Sequence, residues 1–321
     1  MSCSLPQVNI AQATETPIPV TPTDTASAPL QKPELGAAEN PLILALAPSS
    51  NSQAQIDAAK VIAAQFKQRT GYEVVTVAPD SYTALVDALE KGNAHIVLLD
   101  PFSYELAYQK DLVKAAFAIV KDGKTTYGSQ FIASRKGGFK PYFDSSTQSN
   151  TAEASVALAQ FSNKKPCWSD ETSPSGYVIP FGFLNKNQVQ TQPAAFVQGH
   201  PTVVRSVYAG GICDFGATYI DARKFPSLED QYPDLMEQVV VVWRIPEIIP
   251  YSILAFSTNM PQSMRDLFTN TIPAIMQTDD GKAAFKAAYN IEELLPVNDA
   301  DFSEFHEYVG ESRLELSALV K

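Results

Sequence analysis

The sequence predicts an α/β protein of two lobes, each a sheet of mostly parallel strands flanked by helices, joined by two strands that cross between the lobes. Strand and helix patterns alternate from residue 40 onward, as they do in βαβ units. The alternation starts afresh between the strand-like segments 126–134 and 239–244, which indicates a second lobe. With 321 residues, the chain is long enough for two cores.

The elements of the first lobe follow from the spacing of its apolar residues. Ile56, Ala59 and Phe66 recur on one helix face, and Gly71 is a typical helix terminator. The predicted elements are a strand at 42–47, a helix at 56–70, a strand at 72–77, a helix at 82–89, a strand at 96–99 and a helix after Pro101. We interpret 123–125 as a hairpin turn, because position 118 lacks the glycine of a phosphate-binding loop.

The second lobe and the C-terminal part show the same alternation. The predicted elements are helices at 152–161, from 176 and at 201–208, strands at 165–168 and 212–216, a strand at 253–257, and helices at 262–276, 281–289 and 302–319. We therefore expect lobe 1 to comprise residues 39–126 and 245–321, and lobe 2 residues 127–244. Ligands on such sheets bind beyond the carboxyl ends of the strands, so a cleft between the lobes is the expected site.

The first 38 residues differ in composition from the rest of the chain. They hold six prolines among Thr, Ala, Ser and Gln, and no aromatic residue. Such a segment buries too little apolar surface to fold, so residues 1–38 are predicted to be a disordered tether. Cys3 followed by a polar Pro/Thr linker resembles the start of a mature bacterial lipoprotein, and we interpret Cys3 as the lipid anchor. An incidental free cysteine is the alternative.

Charge and cysteine content exclude several classes of partner. The formal charge is −11, whereas nucleic-acid binding needs a basic face. A small anion is not excluded, because local neutral donors can hold it whatever the global charge. No apolar run reaches the ~18 residues that a membrane-spanning helix needs. The three cysteines lack the spacing of zinc ligands, and we predict neither a metal nor a cofactor.

A cluster of small hydroxyl residues, Ser169 to Gly176, follows the short strand at 165–168 and precedes a predicted helix. The first N–H groups of a helix lack partners within the helix, and the helix dipole is positive at that end. The cluster therefore suits a small anion. Plain helix capping is the simpler interpretation of the same residues.

Three further residues are candidates for the site. His200 stands at a strand-to-helix junction and could donate a hydrogen bond to an anion, with a capping or surface role as the alternative. Asp214 lies near a strand's end and could accept from a ligand amine or hydroxyl, or only stabilise a turn. Cys167 could pair with His200 as nucleophile and base, but its apolar strand beside Trp168 favours a packing role.

Six short segments match the pattern of one family. They are Asp80–Leu89 (compare Y-x-x-L-I-x-A-L), Asp100–Ala107 (G-P-x-S-Y-x-x-A), Ser173–Pro180 (S-T-S-G-Y-x-x-P), Gly199–His200 (G-S-H or G-x-H), Tyr208–Thr218 (V-x-x-G-x-V-D-A-G-A-T) and Arg244–Glu247 (I-P-N). In their order and spacing they resemble the substrate-binding proteins of phosphonate, phosphite and phosphate ABC transporters, which have the type 2 periplasmic-binding fold. The resemblance covers nearly the whole chain from about residue 40.

The resemblance implies a set of ligand-binding residues. Serine hydroxyls and the amides of the helix start would hold the phosphoryl oxygens, with the histidine as a further donor. Tyrosines would contact the ligand from the first lobe, and an aspartate would face its distal group, an ammonium in aminoalkyl phosphonates. The expected residues are Tyr82, Tyr104, Ser173, Ser175, Gly176, His200 and Asp214.

Three positions depart from the family pattern. Pro174 replaces Thr and removes a hydroxyl and an N–H, while Asp100 replaces Gly and Glu247 replaces Asn. The added carboxylates favour a cationic or hydroxylated ligand over a plain phosphonate or phosphate. The resemblance also places Cys167 and Cys213 on neighbouring strands of the second lobe, where an exported protein could join them in a disulfide.

We therefore interpret the chain as the extracytoplasmic solute-binding component of an ABC importer. It would capture a small phosphorus oxyanion as the lobes close, pass it to the membrane permease, act as a monomer and perform no catalysis. It would reside in the cell envelope, either lipid-anchored to the outer face of the cytoplasmic membrane or periplasmic. The alternatives are a sensory ligand-binding module, or an enzyme on the same fold that uses Cys167 and His200.

Overall fold

The computed structural model describes Met1 and residues 33–48 and 52–321. Cys3 and most of the predicted tether lie outside the described residues. The strands are, in chain order, β1 (Leu42–Ala45), β2 (Val74–Val77), β3 (Ile96–Leu99), β4 (Val113–Ile119), β5 (Thr126–Ser134), β6 (Phe143–Asp144), β7 (Ser149–Asn150), β8 (Pro166–Trp168), β9 (Ala195–Phe196), β10 (Phe215–Tyr219), β11 (Val239–Pro250), β12 (Ile253–Ser257) and β13 (Leu294–Pro296). The helices are α1 (Gln53–Thr70), α2 (Tyr82–Glu90), α3 (Pro101–Gln109), α4 (Ala154–Leu158), α5 (Ile179–Lys186), α6 (His200–Ala209), α7 (Pro226–Gln231), α8 (Leu235–Gln238), α9 (Gln262–Met276), α10 (Asp279–Tyr289) and α11 (Ser303–Ser312).

The strands form two large sheets, as the α/β prediction requires. The first sheet has the order β13-β4-β12-β3-β1-β2, and the second has the order β11-β5-β10-β8-β9. Parallel pairs join β1 to β2 and β3, and β8 to β9 and β10, while the remaining neighbours are antiparallel. The predicted two-sheet α/β architecture is confirmed, but each sheet is mixed and not mostly parallel. Every antiparallel pair of the two large sheets includes β4, β5 or β12, the strands next to the two connections between the sheets.

The chain passes from the first sheet to the second between β4 and β5. A tight turn lies on this connection, where Lys121 and Lys124 exchange backbone hydrogen bonds of 2.9 and 3.0 Å. Asp122 and Gly123 between them have φ values of 51° and 74°, which a two-residue hairpin turn needs at both positions. The interpretation of 123–125 as a hairpin turn is confirmed. Tyr251 and Ser252 make the return connection between β11 and β12.

The C-terminal helix is shorter than the predicted 302–319. It ends at Ser312, because Arg313 adopts a left-handed φ of 55° that stops the helix. The residues that follow run back to the start of α2, where the backbone N–H of Tyr82 donates to the carbonyl of Lys321 at 2.9 Å. Leu316, Leu319 and Val320 are buried along this path.

Helix α11 packs against both sheet units. On one side His306 stacks on Tyr108 of α3 at 4.1 Å between ring centroids and contacts the carboxylate of Glu105. On the other side Tyr308 stacks on Phe183 of α5 at 3.6 Å. Gly182 makes this approach possible, since a Cβ there would lie 2.1 Å from the carbonyl oxygen of Tyr308.

A disulfide joins Cys167 in β8 to Cys213 just before β10, with 5.6 Å between their Cα atoms. This is the pair that the family resemblance suggested. Cys167 is fully buried and Cys213 nearly so, within a core cluster that α6 covers. Across the part of the chain that the structure describes, no helix has the length and apolar character to cross a membrane.

His95 makes the stability of the fold sensitive to acid. Burial lowers the pKa of His95, whose Nδ1 accepts the backbone N–H of Ile43 at 3.0 Å. The folded-state pKa therefore lies below the unfolded value near 6.5, so the contribution of His95 is present above pH 6.5 and is lost as the pH falls through the folded-state pKa. We expect His95→Asn to flatten the pH dependence of the unfolding free energy between pH 7.5 and 5, by at most about 1.4 kcal/mol per pH unit.

Urea unfolding at several pH values measures this effect. Repulsion between surface charges also changes with pH in a chain of charge −11. The quantity to compare is therefore the slope of unfolding free energy against pH in the wild type and in His95→Asn. Equal slopes for the wild type and His95→Asn would contradict the assignment.

Candidate functional site

The residues after β8 form a compact turn that leads into α5. Ser173 begins it and accepts the N–H of Gly176 on its Oγ at 3.0 Å, which is an N-cap interaction. Pro174 follows at the first position of a π-helical turn, Pro174–Val178, that runs on as α5. Pro at that position removes only an N–H that would have no partner within the helix. The start of this helical turn is therefore capped by Ser173 and largely buried.

Ser175 and Gly176 are buried at the centre of this turn. The carbonyl of Ser175 accepts the hydroxyl of Ser129 in β5 at 2.6 Å, which fixes the turn against the second sheet. The Ser175 side chain also meets the hydroxyl of Tyr127, whose pKa burial raises to about 12. Tyr127 in turn stacks on Tyr251 of the return connection at 5.1 Å.

His200 lies next to Gly176 at the start of α6. Its Nδ1 accepts the backbone N–H of Tyr219 at 3.4 Å, so the proton of the neutral ring is on Nε2, which can donate to a ligand. Burial lowers the pKa of His200, and the nearby charge of Asp170 opposes this shift. A Cβ added to Gly176 would lie 2.9 Å from Cε1 of His200.

Ser169 completes the group. Its side chain is fully buried, and its Oγ has no hydrogen-bond partner within the described residues. The same Oγ would lie 2.0 Å from a Cβ on Gly176. A buried hydroxyl without a partner is costly, and a ligand oxygen would remove that cost. We call Ser169, Ser173, Ser175, Gly176 and His200 the serine cradle.

The two tyrosines expected to face the ligand differ in their surroundings: Tyr82 lies at the start of α2, and Tyr104 is buried within the first lobe. Tyr82 opens α2 beside Asp100, and burial with that charge raises its pKa to about 12. A cavity of about 240 Å³ lies between the Glu171–Thr172 turn and residues 314–321, the segment that contacts Tyr82. Tyr104 is fully buried and donates its hydroxyl to Asp299 at 2.8 Å, so the structure does not bring it to the serine cradle.

Asp214 lies at the opposite end of the second sheet from the serine cradle. Strand β10 begins at Phe215 instead of the predicted Ile212, so Asp214 precedes the strand and accepts the N–H of Lys165 at 2.7 Å. The serine cradle follows the carboxyl end of the parallel strand β8. The five residues of β10 separate the two ends by roughly 16 Å. The structure therefore does not support the expected contact of Asp214 with a ligand.

Asp221 is the acidic residue that follows the carboxyl end of β10, and it was not selected from the sequence. It accepts the side-chain amide of Gln130 at 2.7 Å and forms a two-point ion pair with Arg223. Tyr127 was missed as well, and Ser169 was part of the predicted hydroxyl cluster but not of the expected set of ligand-binding residues. Ser169 is the first hydroxyl after a buried strand, and Tyr127 is an aromatic residue at the start of a crossing strand, so both left a usable signal.

The two acidic departures from the family pattern have local partners. Asp100 caps α3 by accepting the N–H groups of Phe102 and Ser103 at 2.9 Å each, and burial raises its pKa. Glu247 is exposed and paired with Lys124 across the connection between the sheets. In the described part of the chain no group of three or more His, Cys, Asp or Glu residues is arranged to hold a metal ion.

Comparison with known proteins identifies the family. The family model described as ABC transporter, phosphonate, periplasmic substrate-binding protein matches residues 44–302. The chain belongs to this family. Phosphonate-type substrate-binding proteins work outside the cytoplasm with a membrane permease, and this chain is therefore a solute-binding component of that kind of importer.

Two relatives illustrate how distant the similarity is. The chain is 23% identical over 294 residues to the phosphate-import protein PhnD of Mycolicibacterium smegmatis, which covers 84% of this chain and 86% of the relative. Among solved structures it is similar to XAC2383 from Xanthomonas citri, bound to chloride ion in one structure, with a TM-score of 0.59 and 16% identity over 85% of this chain and 98% of that chain. A second structure of XAC2383, bound to ATP, has the same TM-score and 14% identity. At such identities the structural similarity concerns the fold alone.

Proposed function

We propose that this substrate-binding protein captures a small phosphorus oxyanion, a phosphonate, phosphite or phosphate, in the serine cradle. The buried Oγ of Ser169, which lacks a partner beside the N-terminus of the α5 turn and the Nε2–H of His200, is the observation that carries the proposal. Neutral donors at a helix N-terminus hold such an anion without a counter-charge. From the first lobe, we propose that Tyr82, on the other side of the C-terminal segment, contacts the ligand.

Closure of two lobes on the ligand completes the proposal. Residues 39–126 with 245–321 and residues 127–244 would move about the two connections between the sheets, and the ligand would shift the population toward the closed form. Lipid anchoring through Cys3 and a monomeric state belong to the same proposal. The buried disulfide favours binding over catalysis, because Cys167 offers no thiolate to serve as a nucleophile.

Isothermal titration of the full chain with methylphosphonate, phosphite, phosphate and sulfate tests the ligand class. We expect at least one phosphorus oxyanion to bind, and Ser175→Ala and His200→Ala each to weaken that binding by about tenfold or more, as loss of a hydrogen bond to a charged group does. Ser227→Ala, at an exposed serine of α7, should leave the affinity unchanged. Binding of none of the phosphorus compounds would refute the proposal.

A further inference from the structure

A second cavity on the second sheet is lined by four cationic side chains. It measures about 300 Å³, and Arg135, Arg223, Lys224 and Arg244 contribute to its wall, with Asp221 as the one carboxylate there. The chain as a whole carries a formal charge of −11. Such a local excess of positive charge in an acidic protein indicates a site for an anion. We call these five residues the arginine pocket.

The buried part of the arginine pocket is held rigidly. Arg223 is 8% exposed, forms its two-point ion pair with Asp221 and donates to the carbonyl of Val239 at 2.8 Å. The guanidinium of Arg244 lies 4.0 Å from the ring centroid of Phe143 and donates to Gln148 at 2.7 Å. A guanidinium fixed in this way loses little entropy when it binds an oxyanion.

The charges within the arginine pocket do not balance. Asp221 is engaged by Arg223 and by Gln130, and its distance to Arg244 is 4.0 Å. Burial lowers the pKa of Arg244, and the neighbouring charge of Arg223 acts in the same direction, while Asp221 and Glu247 oppose the shift. Arg135 and Lys224 are exposed at the rim, and no ion pair to either occurs among the described residues.

The arginine pocket is separate from the serine cradle. Ser129 and Gln130 are consecutive residues of β5, and consecutive strand residues point to opposite faces of the sheet. The hydroxyl of Ser129 contacts Ser175 of the cradle, whereas the amide of Gln130 contacts Asp221 of the pocket. A ligand in one site would therefore not occupy the other.

We propose that the arginine pocket is a second anion site, for small molecules that carry a phosphate group with two or more negative charges. Planar guanidinium groups match phosphate oxygens, and the exposed cations at the rim suit a further negative charge. The size of the cavity limits the ligand to a small molecule, because a nucleic-acid backbone needs an extended basic face. The site is independent of the function proposed for the cradle.

Titration of the full chain with pyrophosphate tests this site. We expect the wild type to bind pyrophosphate and Gly176→Ala, in the cradle, to bind it equally well. The double variant Arg135→Gln/Lys224→Gln should bind pyrophosphate about tenfold or more weakly. Both rim residues are exposed, so the double variant should fold, which its melting temperature will show. Lys136→Gln, an exposed cation next in sequence that does not line the cavity, is the matched control and should leave the affinity unchanged.

The variant Arg244→Lys tests whether the planar guanidinium of Arg244 matters in addition to its positive charge. It keeps one positive charge but loses the planar pair of donors, so we expect a loss of affinity in this variant too. Three results would overturn the proposal: no pyrophosphate binding to the wild type, loss of binding in Gly176→Ala, or equal losses in Lys136→Gln and the rim variant. Failure of the phosphonate titration with success here would refute the proposed function and leave this site standing.

Discussion

Gly176→Ala should abolish binding of the phosphorus oxyanion, with a loss of affinity of about 100-fold or more. The added Cβ would lie 2.0 Å from Oγ of Ser169 and 2.9 Å from Cε1 of His200, so both side chains would have to move from their places in the serine cradle. Each hydrogen bond to a charged group that is lost costs about 1.5–3 kcal/mol. Titration calorimetry with the ligand that binds the wild type most tightly measures the effect.

Gly310→Ala is the matched control for this substitution. Gly310 lies in α11, and a Cβ there meets nothing within 4 Å. Alanine is the better helix former, so this variant should keep its affinity and gain up to about 1 kcal/mol of stability. A Gly176→Ala protein that remains folded and binds as tightly as the wild type would show that the ligand lies elsewhere.

Removal of the disulfide should have the largest effect on stability. Cys167 and Cys213 are 46 residues apart in sequence, and a cross-link of that length lowers the entropy of the unfolded chain by an amount worth about 4 kcal/mol. We expect Cys167→Ala/Cys213→Ala to lose about that much unfolding free energy, as urea denaturation would measure. The wild type in reductant should show a similar loss.

Cys3→Ser provides the comparison, because it removes a thiol without touching the Cys167–Cys213 bridge. It should unfold at the same urea concentration as the wild type. An identical midpoint for the oxidised wild type and the double alanine variant would show that the bridge contributes nothing to the free energy of unfolding.

Much of the fold could be predicted because its signals are local. The strand 126–134 and the helix 262–276 were predicted with the bounds that the structure has, since each is a run of residues with one clear periodicity. Strand β4 was missed because its sequence, VKAAFAI, mixes a charge and three alanines with the apolar residues. Its place depends on neighbours far along the chain, as β12 and β13 pair with it.

The same distinction applies to the site. Helix capping within the Ser169–Gly176 cluster and the position of His200 at a helix start depend on a few consecutive residues, and the sequence indicated both. The placement of Asp214 depended on where β10 begins, and a shift of three residues moved it to the wrong end of the strand. Tyr104 depended on a contact with Asp299, 195 residues away, which no local pattern reveals.

Helix α11 has a consequence for how fast the protein can respond to its solute. Its His306 ring lies on a tyrosine of the first sheet unit, and its Tyr308 ring lies on a phenylalanine of the second. If the two halves move about their connections as proposed, at least one of these stacked pairs must shift, because one helix cannot follow both halves. The aromatic pairs would then resist opening and closing, and substitutions there would alter the rates of ligand binding and release without touching the ligand.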